Sequence, residues 1–590
     1  METTPDLAPV SAEQGNEKPL DGSKGPGSVH VEDGNVTIQT LLNNEVLLAR
    51  YAEEAAKGEY ALGVWTSIKL YYPAIGWALL CATCVIMEGY DTILIGNFFA
   101  YPAFAKKYGS LVDDRGNPQA SSFRWFAQRL RTDEDGVQLT AAWQSGLNNS
   151  HGVGAFFGVL INGWLVQRFG QKKTLIYALV CLSGFIFIVF FAPSTAVLLV
   201  GWFLCGLPWG VFASSAPAYA SEVLPLRLRI YLTSYTNMCF IIGQLIAAGV
   251  LSGLVDLENQ WSYRIPMALQ WTWPCFLVPA CVFMPESPWH LVRKGRYEEA
   301  EKVVGRLISK KTQDTPEGRA IDTRRALALI IHTNKAEQEL AIGTSYKDCF
   351  KGPELRRTEI ACMCFAGQVL SGSQFAYNST YFFQQIKLSA STSYKLNVGG
   401  TGMALFAALV QWFCLAPYIG RRTNYLGGML GMAIILFIIG FLQIRGGPDS
   451  ISMAQAVLTL LWTFAFQLSA GQLGWALPAE VSSSRLRQKT ICLARNAYYL
   501  VILVANAIQP YAMNPFEWNL AGYAGFIWGS TSICVFVWGY FRLPETKDRS
   551  FEELDVMFAQ RLPARHFKKY KPEVFVEAHT GKLDVKGDEA

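Results

Sequence analysis

EVLPLRLR, residues 222–229, returns 258 positions later as EVSSSRLR, residues 480–487. Two more pairs lie in the same order at nearly the same offset. FGQKKT (169–174) returns as IGRRTN (419–424), shifted by 250, and PES (285–287) as PET (544–546), shifted by 259. One such match would carry little weight; three in register point to an internal duplication. The chain therefore reads as two related halves.

Apolar runs surround these markers. They fall near 72–93, 141–165, 174–192, 196–217, 231–254, 267–284, 359–383, 397–418, 424–443, 453–478, 490–512 and 521–541. Each run is long enough to cross a bilayer, which takes about 20 residues. The expected fold class is an all-α integral membrane protein with twelve transmembrane helices in two six-helix bundles. Composition agrees: the 590 residues are 51% hydrophobic and 16% charged, with a mean hydropathy of +0.20. A soluble domain carries about 25% charged residues. A net charge of +5 spread along the chain gives no reason to expect a nucleic-acid partner.

Basic residues set the orientation. Arg168, Lys172 and Lys173 follow span 2; Arg227 and Arg229 follow span 4. Arg421 and Arg422 follow span 8, and Arg485, Arg487 and Lys489 follow span 10. All lie on one side, which the positive-inside rule makes cytoplasmic, so both termini are expected there. The expected domains are a largely disordered N-terminal tail (1–65), a first bundle (66–284), a cytoplasmic linker (285–358), a second bundle (359–543) and a C-terminal tail (544–590). The linker alternates charged and apolar residues at helical spacing, which predicts short amphipathic helices on the cytoplasmic face. No cleaved signal peptide is visible, and the first span is expected to serve as its own signal. Cys81-x-x-Cys84 lies inside span 1 with no His or second Cys pair beside it, so it reads as packing.

The chemistry concentrates in MEGYDT, residues 87–92. Glu88 and Asp91 are three apart and share a helix face. A charge at the bilayer centre costs ~2.5–3.5 kcal/mol on insertion scales. Either the acids mark the outer end of span 1 and meet water, or they sit in a dry cavity, load a proton outside and release it inside. Arg495 in LARNAYY is the matching cation. It either reaches the cytoplasmic surface along its own stem or pairs with Glu88 or Asp91 in one state and is freed when they protonate.

Taken together, GYDT in span 1, ASEVLPLRLR, PESPWHL after span 6, GW…PAEVSSSRLR and the closing PETKDRSFEELD resemble the sugar-porter family of the major facilitator superfamily, over roughly residues 70–560. MEGYDT, FLCGLPWGVF, KTICLARNAY and QPYAMNP are similar to the fungal maltose permeases, which import α-glucosides with protons. The resemblance implies a proton-coupled sugar importer of the plasma membrane, with Asp91 as the main proton site and Glu88 as an extra acid of the maltose branch. It implies sugar contacts at Gln244, at Gln368 and Gln374 of QVLSGSQ, and at Trp475 of GQLGW. Amides and flat aromatic faces suit a pyranose, which presents both hydroxyls and C–H surfaces; a lone intramembrane Gln can equally be helix–helix glue. Asn378 and Tyr498 are further pocket candidates, as are Tyr90, Tyr377 and Tyr499.

Glu222 with Arg227 and Arg229, and Glu480 with Arg485 and Arg487, read as a cytoplasmic latch or as ordinary topology-setting charge. The sequence departs from the family at Gln167 and Gln171 in the loop after span 2, at Pro417 after span 8, and at Trp202, where an Arg often starts span 4. The alternatives left open are another oligosaccharide (sucrose, trehalose or a raffinose type), a passive facilitator, and a sensor that does not transport. No Ser/His/Asp set, metal cluster or phosphate loop points to an enzyme. No cofactor is expected, and the partners are a sugar, protons and the bilayer around a monomer.

Overall fold

A computed structural model describes residues 37–99, 101–111, 137–139, 141–257, 259–309, 316–340, 345–377, 390–445, 449–483, 486–513, 518, 520–547, 549 and 551–570. Among these, ten helices are long and apolar enough to cross a membrane. Span 1 is Val64–Phe98, span 3 Gln171–Phe190, span 4 Thr195–Val223 and span 6 Trp261–Phe283. Span 5 is Leu226–Leu254. In the second half, spans 8, 9, 10 and 12 are Thr392–Leu415, Arg421–Arg445, Met453–Val481 and Ala524–Arg542, and span 11 is Arg487–Met513.

The other two of the expected twelve are helices of lower hydropathy. Span 2 is Ala141–Phe169. Span 7 is Gly352–Leu370, broken at Ser371 and Gly372 and resumed at Ser373–Tyr377. Both turn polar side chains inward: Gln144, Asn148 and Asn162 in span 2, and Arg357, Gln368 and Gln374 in span 7, are all buried. Span 7 begins several residues earlier than the expected boundary at 359. The only strands among the described residues are a two-residue ladder, Ser110–Leu111 with Val137–Gln138, in the loop after span 1.

The duplication is visible as one repeated joint. Glu286, of PES after span 6, accepts the backbone N–H groups of Gln171 (2.9 Å) and Lys172 (3.2 Å) at the start of span 3. Glu545, of PET after span 12, accepts the N–H of Arg421 (2.7 Å) at the start of span 9. A helix N-terminus leaves unsatisfied donors and a partial positive charge, so a carboxylate there satisfies both. A glycine precedes each helix because the carboxylate occupies the space of a Cβ: one added at Gly170 would lie 2.5 Å from Glu286 Oε2, and at Gly420 2.2 Å from Glu545 Oε2.

Within the first half, spans 2 and 4 meet backbone to backbone. A Cβ on Gly154 or Gly158 would reach the carbonyls of Phe203 and Leu207, each at 2.1 Å. Gly206 and Gly210 press on His151 O and Ala155 O in return. This is small-residue packing, which brings helices close where no hydrophobic drive separates protein from lipid. Gly89 and Gly243 join spans 1 and 5 in the same way.

The linker forms helices Pro288–Arg293, Tyr297–Leu307 and Pro316–Leu340. The N-terminal tail departs from the expected disorder in its second part: residues 38–61 form Ile38–Asn43 and Glu45–Ala61. The reason is a small separate core outside the spans, in which Leu41, Leu48 and Tyr51 pack with Leu291, Ala300, Leu327 and Ile331. Thr37 and Asn44 cap the two helices, accepting N–H bonds from Thr40 and Leu47. Glu54 pairs with Arg325 at 3.1 Å. In the C-terminal tail, helix Phe551–Ala559 is held by Asp555 on the buried Arg357, at 2.6 Å.

Candidate functional site

Span 1 is kinked at Tyr71 and interrupted by a single turn residue at Cys84, and its section after that turn, Val85–Phe98, carries both acids. Gly89 lets this section lie against the main chain of span 5; Glu88 faces the second half, and Asp91 lies near Cys205 of span 4 in the first. Glu88 is 5% exposed and Asp91 3%. Neither meets bulk water, so the reading as a wet outer helix end does not hold.

Span 11 brings Arg495, 3% exposed, across from the second half. Its Nη2 donates to Glu88 Oε1 at 2.7 Å, and Tyr499 Oη donates to the same oxygen at 3.3 Å. Arg495 is therefore buried and does not reach the cytoplasmic surface. Its guanidinium carbon lies 4.5 Å from the ring centre of Tyr498, 4.6 Å from Trp475, 4.9 Å from Tyr499 and 5.7 Å from Phe365. A guanidinium is planar and weakly hydrated, so aromatic faces can hold it where a lysine ammonium would lose its water. Two demands are met at once: the carboxylate neutralises the charge, and the rings shield it.

Asp91 differs from its neighbour. Its Oδ1 has no hydrogen-bond partner, and among the described residues no cation lies within ion-pair distance of it. Span 4 offers Trp202, also buried, where the family often has a cation. A buried carboxylate without a counter-charge is costly, and binding a proton removes that cost.

The amides divide between two tasks. Gln368 Nε2 donates to the carbonyls of Ala470 (3.2 Å) and Gly471 (2.7 Å), in the broken stretch of span 10. That side chain holds helices together. Gln244 is 2% exposed and its Nε2 has no partner, leaving a donor unused. Gln374 is buried. Trp475 packs edge-on to Phe365 at 5.3 Å and supports Arg495. Tyr498 contacts the same guanidinium. Asn378 lies outside the described residues. Tyr90 donates to Pro266 O at 2.8 Å and is a packing residue.

The expected latch residues pair within their own ends of the molecule. Glu222 meets Arg293 of the linker at 3.7 Å, and Arg229 donates to Leu224 O at 3.0 Å. Glu480 meets Arg421 at 3.5 Å and accepts from Thr546 Oγ1. Arg485 and the side chains of Arg227 and Arg487 lie outside the described residues. The reading of the sequence missed Phe365 of the aromatic box and the bond from Asn237 of span 5 to Gln467 of span 10, 3.0 Å, which joins the halves. Neither has a motif; both depend on helix rotation.

Two bundles of related sequence meeting around a buried acid–guanidinium pair define a membrane carrier of the major facilitator type, with its interior site between the halves. The model of the family described as sugar (and other) transporter matches residues 77–558, and the chain belongs to that family. It is 36% identical over 579 residues to maltose permease MAL31 of Saccharomyces cerevisiae, covering 97% of this chain and 90% of the relative. It is 35% identical to the alpha-glucosides permease MPH3 of S. cerevisiae strain YJM789, with 95% and 91% covered. Among solved structures, the proton:xylose symporter XylE bound to 6-bromo-6-deoxy-D-glucose shares the fold, with a TM-score of 0.65 at 19% identity over 82% of this chain and 99% of that one. The protein is a multi-pass sugar transporter and not an enzyme.

Proposed function

We propose that the protein is a plasma-membrane symporter that brings an α-glucoside of the maltose type into the cell with a proton. The observation that carries this reading is the near-full-length relation to permeases named for maltose and α-glucosides. The site geometry supports it. In this mechanism Asp91, without a cation, takes the travelling proton, and Glu88 holds Arg495 across the seam between halves. A proton shared with Glu88, one helical turn away, weakens that tie and lets the halves rock. Arg495 then stays within its aromatic box while its carboxylate partner changes. The sugar is read by the free amide of Gln244, by Gln374 and by the face of Trp475. Glu222 with Arg293, and Glu480 with Arg421, brace the cytoplasmic ends while these are closed.

A membrane potential supplies ~2.3 kcal/mol per charge per 100 mV, enough to concentrate a neutral sugar. The test is uptake of labelled maltose, sucrose, trehalose, raffinose and glucose in yeast lacking its own carriers, with external pH recorded. Maltose-type uptake with alkalinisation of the medium is expected, and Asp91→Asn removes uphill accumulation. Uptake without alkalinisation would make the protein a facilitator; no uptake of any sugar would remove the transport assignment for this panel.

A further inference from the structure

The geometry points to an uncharged latch on the outer side, in which Asn97 of span 1 is tied to Tyr394 and Asn397 of span 8 and must be released for sugar to enter. Asn97 ends span 1 nine residues beyond Glu88. Its main-chain oxygen accepts from Tyr394 Oη at 2.7 Å, and its Oδ1 accepts from Asn397 Nδ2 at 3.0 Å. Its own Nδ2 donates back to Ile93 O at 2.8 Å, which fixes the amide so that Oδ1 points across the seam. All three side chains are buried. Tyr394 also packs edge-on against Tyr101 at 5.7 Å.

A second arm lies on the other side of the seam. Ser145 Oγ of span 2 donates to Ala507 O at 3.2 Å, and Asn506 Nδ2 of span 11 donates to Asn148 O at 3.2 Å. These residues occupy the outer portions of spans 1, 2, 8 and 11, given the cytoplasmic assignment of the basic loops. The ion pairs at the cytoplasmic ends, by contrast, join residues of one half or its linker. Opening toward the outside separates span 1 from span 8 and breaks the Asn97 bonds; opening toward the inside leaves them intact. The latch contains no titratable carboxylate or amine, so its strength does not change with the protonation that the acids undergo. The proton and the latch are linked only mechanically, through the helix they share.

The inference rests on the family's two-half transport cycle and on the side assignment, not on which sugar is carried or whether a proton travels. Its test uses no sugar. Gln244→Cys places a reporter in the interior, and a membrane-impermeant maleimide is applied from outside on intact cells and from the cytoplasmic side on inverted vesicles. The chain without the reporter gives the background. Losing one net hydrogen bond shifts a two-state population by about 2- to 10-fold. Tyr394→Phe and Asn397→Ala are each expected to raise outside labelling by that factor and to lower labelling from the cytoplasmic side. Unchanged outside labelling overturns the latch. A rise from both sides overturns it too, because that is general loosening. Tyr394→Phe keeps the ring against Tyr101 and carries the test should Asn397→Ala fail to reach the surface. A failed uptake panel leaves this result standing, and the reverse also holds.

Discussion

The ends of the two halves that carry the basic loops are nearly copies of each other, whereas their middles are not. Glu286 with span 3 and Glu545 with span 9 repeat one joint: an acid after the sixth helix of a half caps its third helix, beside a glycine. In the buried interior the first half supplies Glu88 and Asp91, and the second supplies Arg495 inside four aromatic rings. The duplicated frame has kept its fastenings while the interior has specialised, acid on one side and base on the other. A carrier needs that combination. Its halves must move as similar rigid bodies, yet a site with two identical faces could not hold a charged pair.

The sharpest way to break the comparison is at the pair itself. Arg495→Leu leaves Glu88 buried without its cation, at about 3–5 kcal/mol, and uptake normalised to surface abundance is expected to fall by about a hundredfold or more. Adding Glu88→Gln to that variant removes the stranded charge. The double variant should recover thermal stability without recovering proton-linked accumulation. If the single variant transports normally, the interior is not specialised in the way described.

The next effect separates the two joints. Gly170 has φ of +88°, and Gly420 has no positive φ. Gly170→Ala meets both backbone strain and the Glu286 carboxylate, costing about 1–3 kcal/mol. Gly420→Ala displaces only the Glu545 cap, about 0.5–2 kcal/mol. Melting temperatures of the purified variants should fall in that order; equal falls would mean that the joints are more alike than their backbones.

Gln368 and Gln244 then sharpen the interior. Gln368→Leu frees the Ala470 and Gly471 carbonyls, so stability drops by about 1–2 kcal/mol while the ranking of sugars in the uptake panel holds. Gln244→Leu should do the opposite, changing the ranking with little change in melting.

The smallest effect is a pH dependence at the first joint. Burial pushes the Glu286 carboxyl above its ordinary value of 4.5, and the N–H bonds of Ser287, Lys172 and Gln171 only partly offset this. An acid raised by folding contributes stability below its unfolded value and loses it as pH rises through the folded one. Thermal melting of the wild type should therefore decline from about pH 4.5 upward relative to Glu286→Gln, whose side chain does not titrate.

Much of the frame was legible in the sequence because it is written in short contiguous words. PES and PET, read as one repeat, are the two capping acids. The run lengths placed the membrane helices, with span 2 and span 7 blurred by the polar residues that they bury. The interior was only partly legible. Glu88 and Asp91 share a helix face, so sequence spacing could not say which one Arg495 meets; helix rotation decides in favour of Glu88. Gln368 reads as a sugar contact, and the bonds of its Nε2 to span 10 were not legible, since its reach to a main-chain carbonyl depends on the break after Leu468. Asn97 sits in IGNFF at a helix end, where a polar residue ordinarily meets water, and its partners are some 300 positions away. The helices at 38–61 did leave a signal, in the Thr37 and Asn44 caps, but their core is shared with the linker and has no local signature.

The glycine contacts between spans 2 and 4 carry one more implication. At these glycines the two helices touch through main chain, where no rotamer change can absorb a displacement, and Asn162 adds side-chain bonds to Ser214 and Ser215, so this joint behaves as a weld. Mutations that reshape the sugar pocket elsewhere cannot loosen it, and cargo preference is free to drift in evolution while the first bundle keeps swinging as one piece.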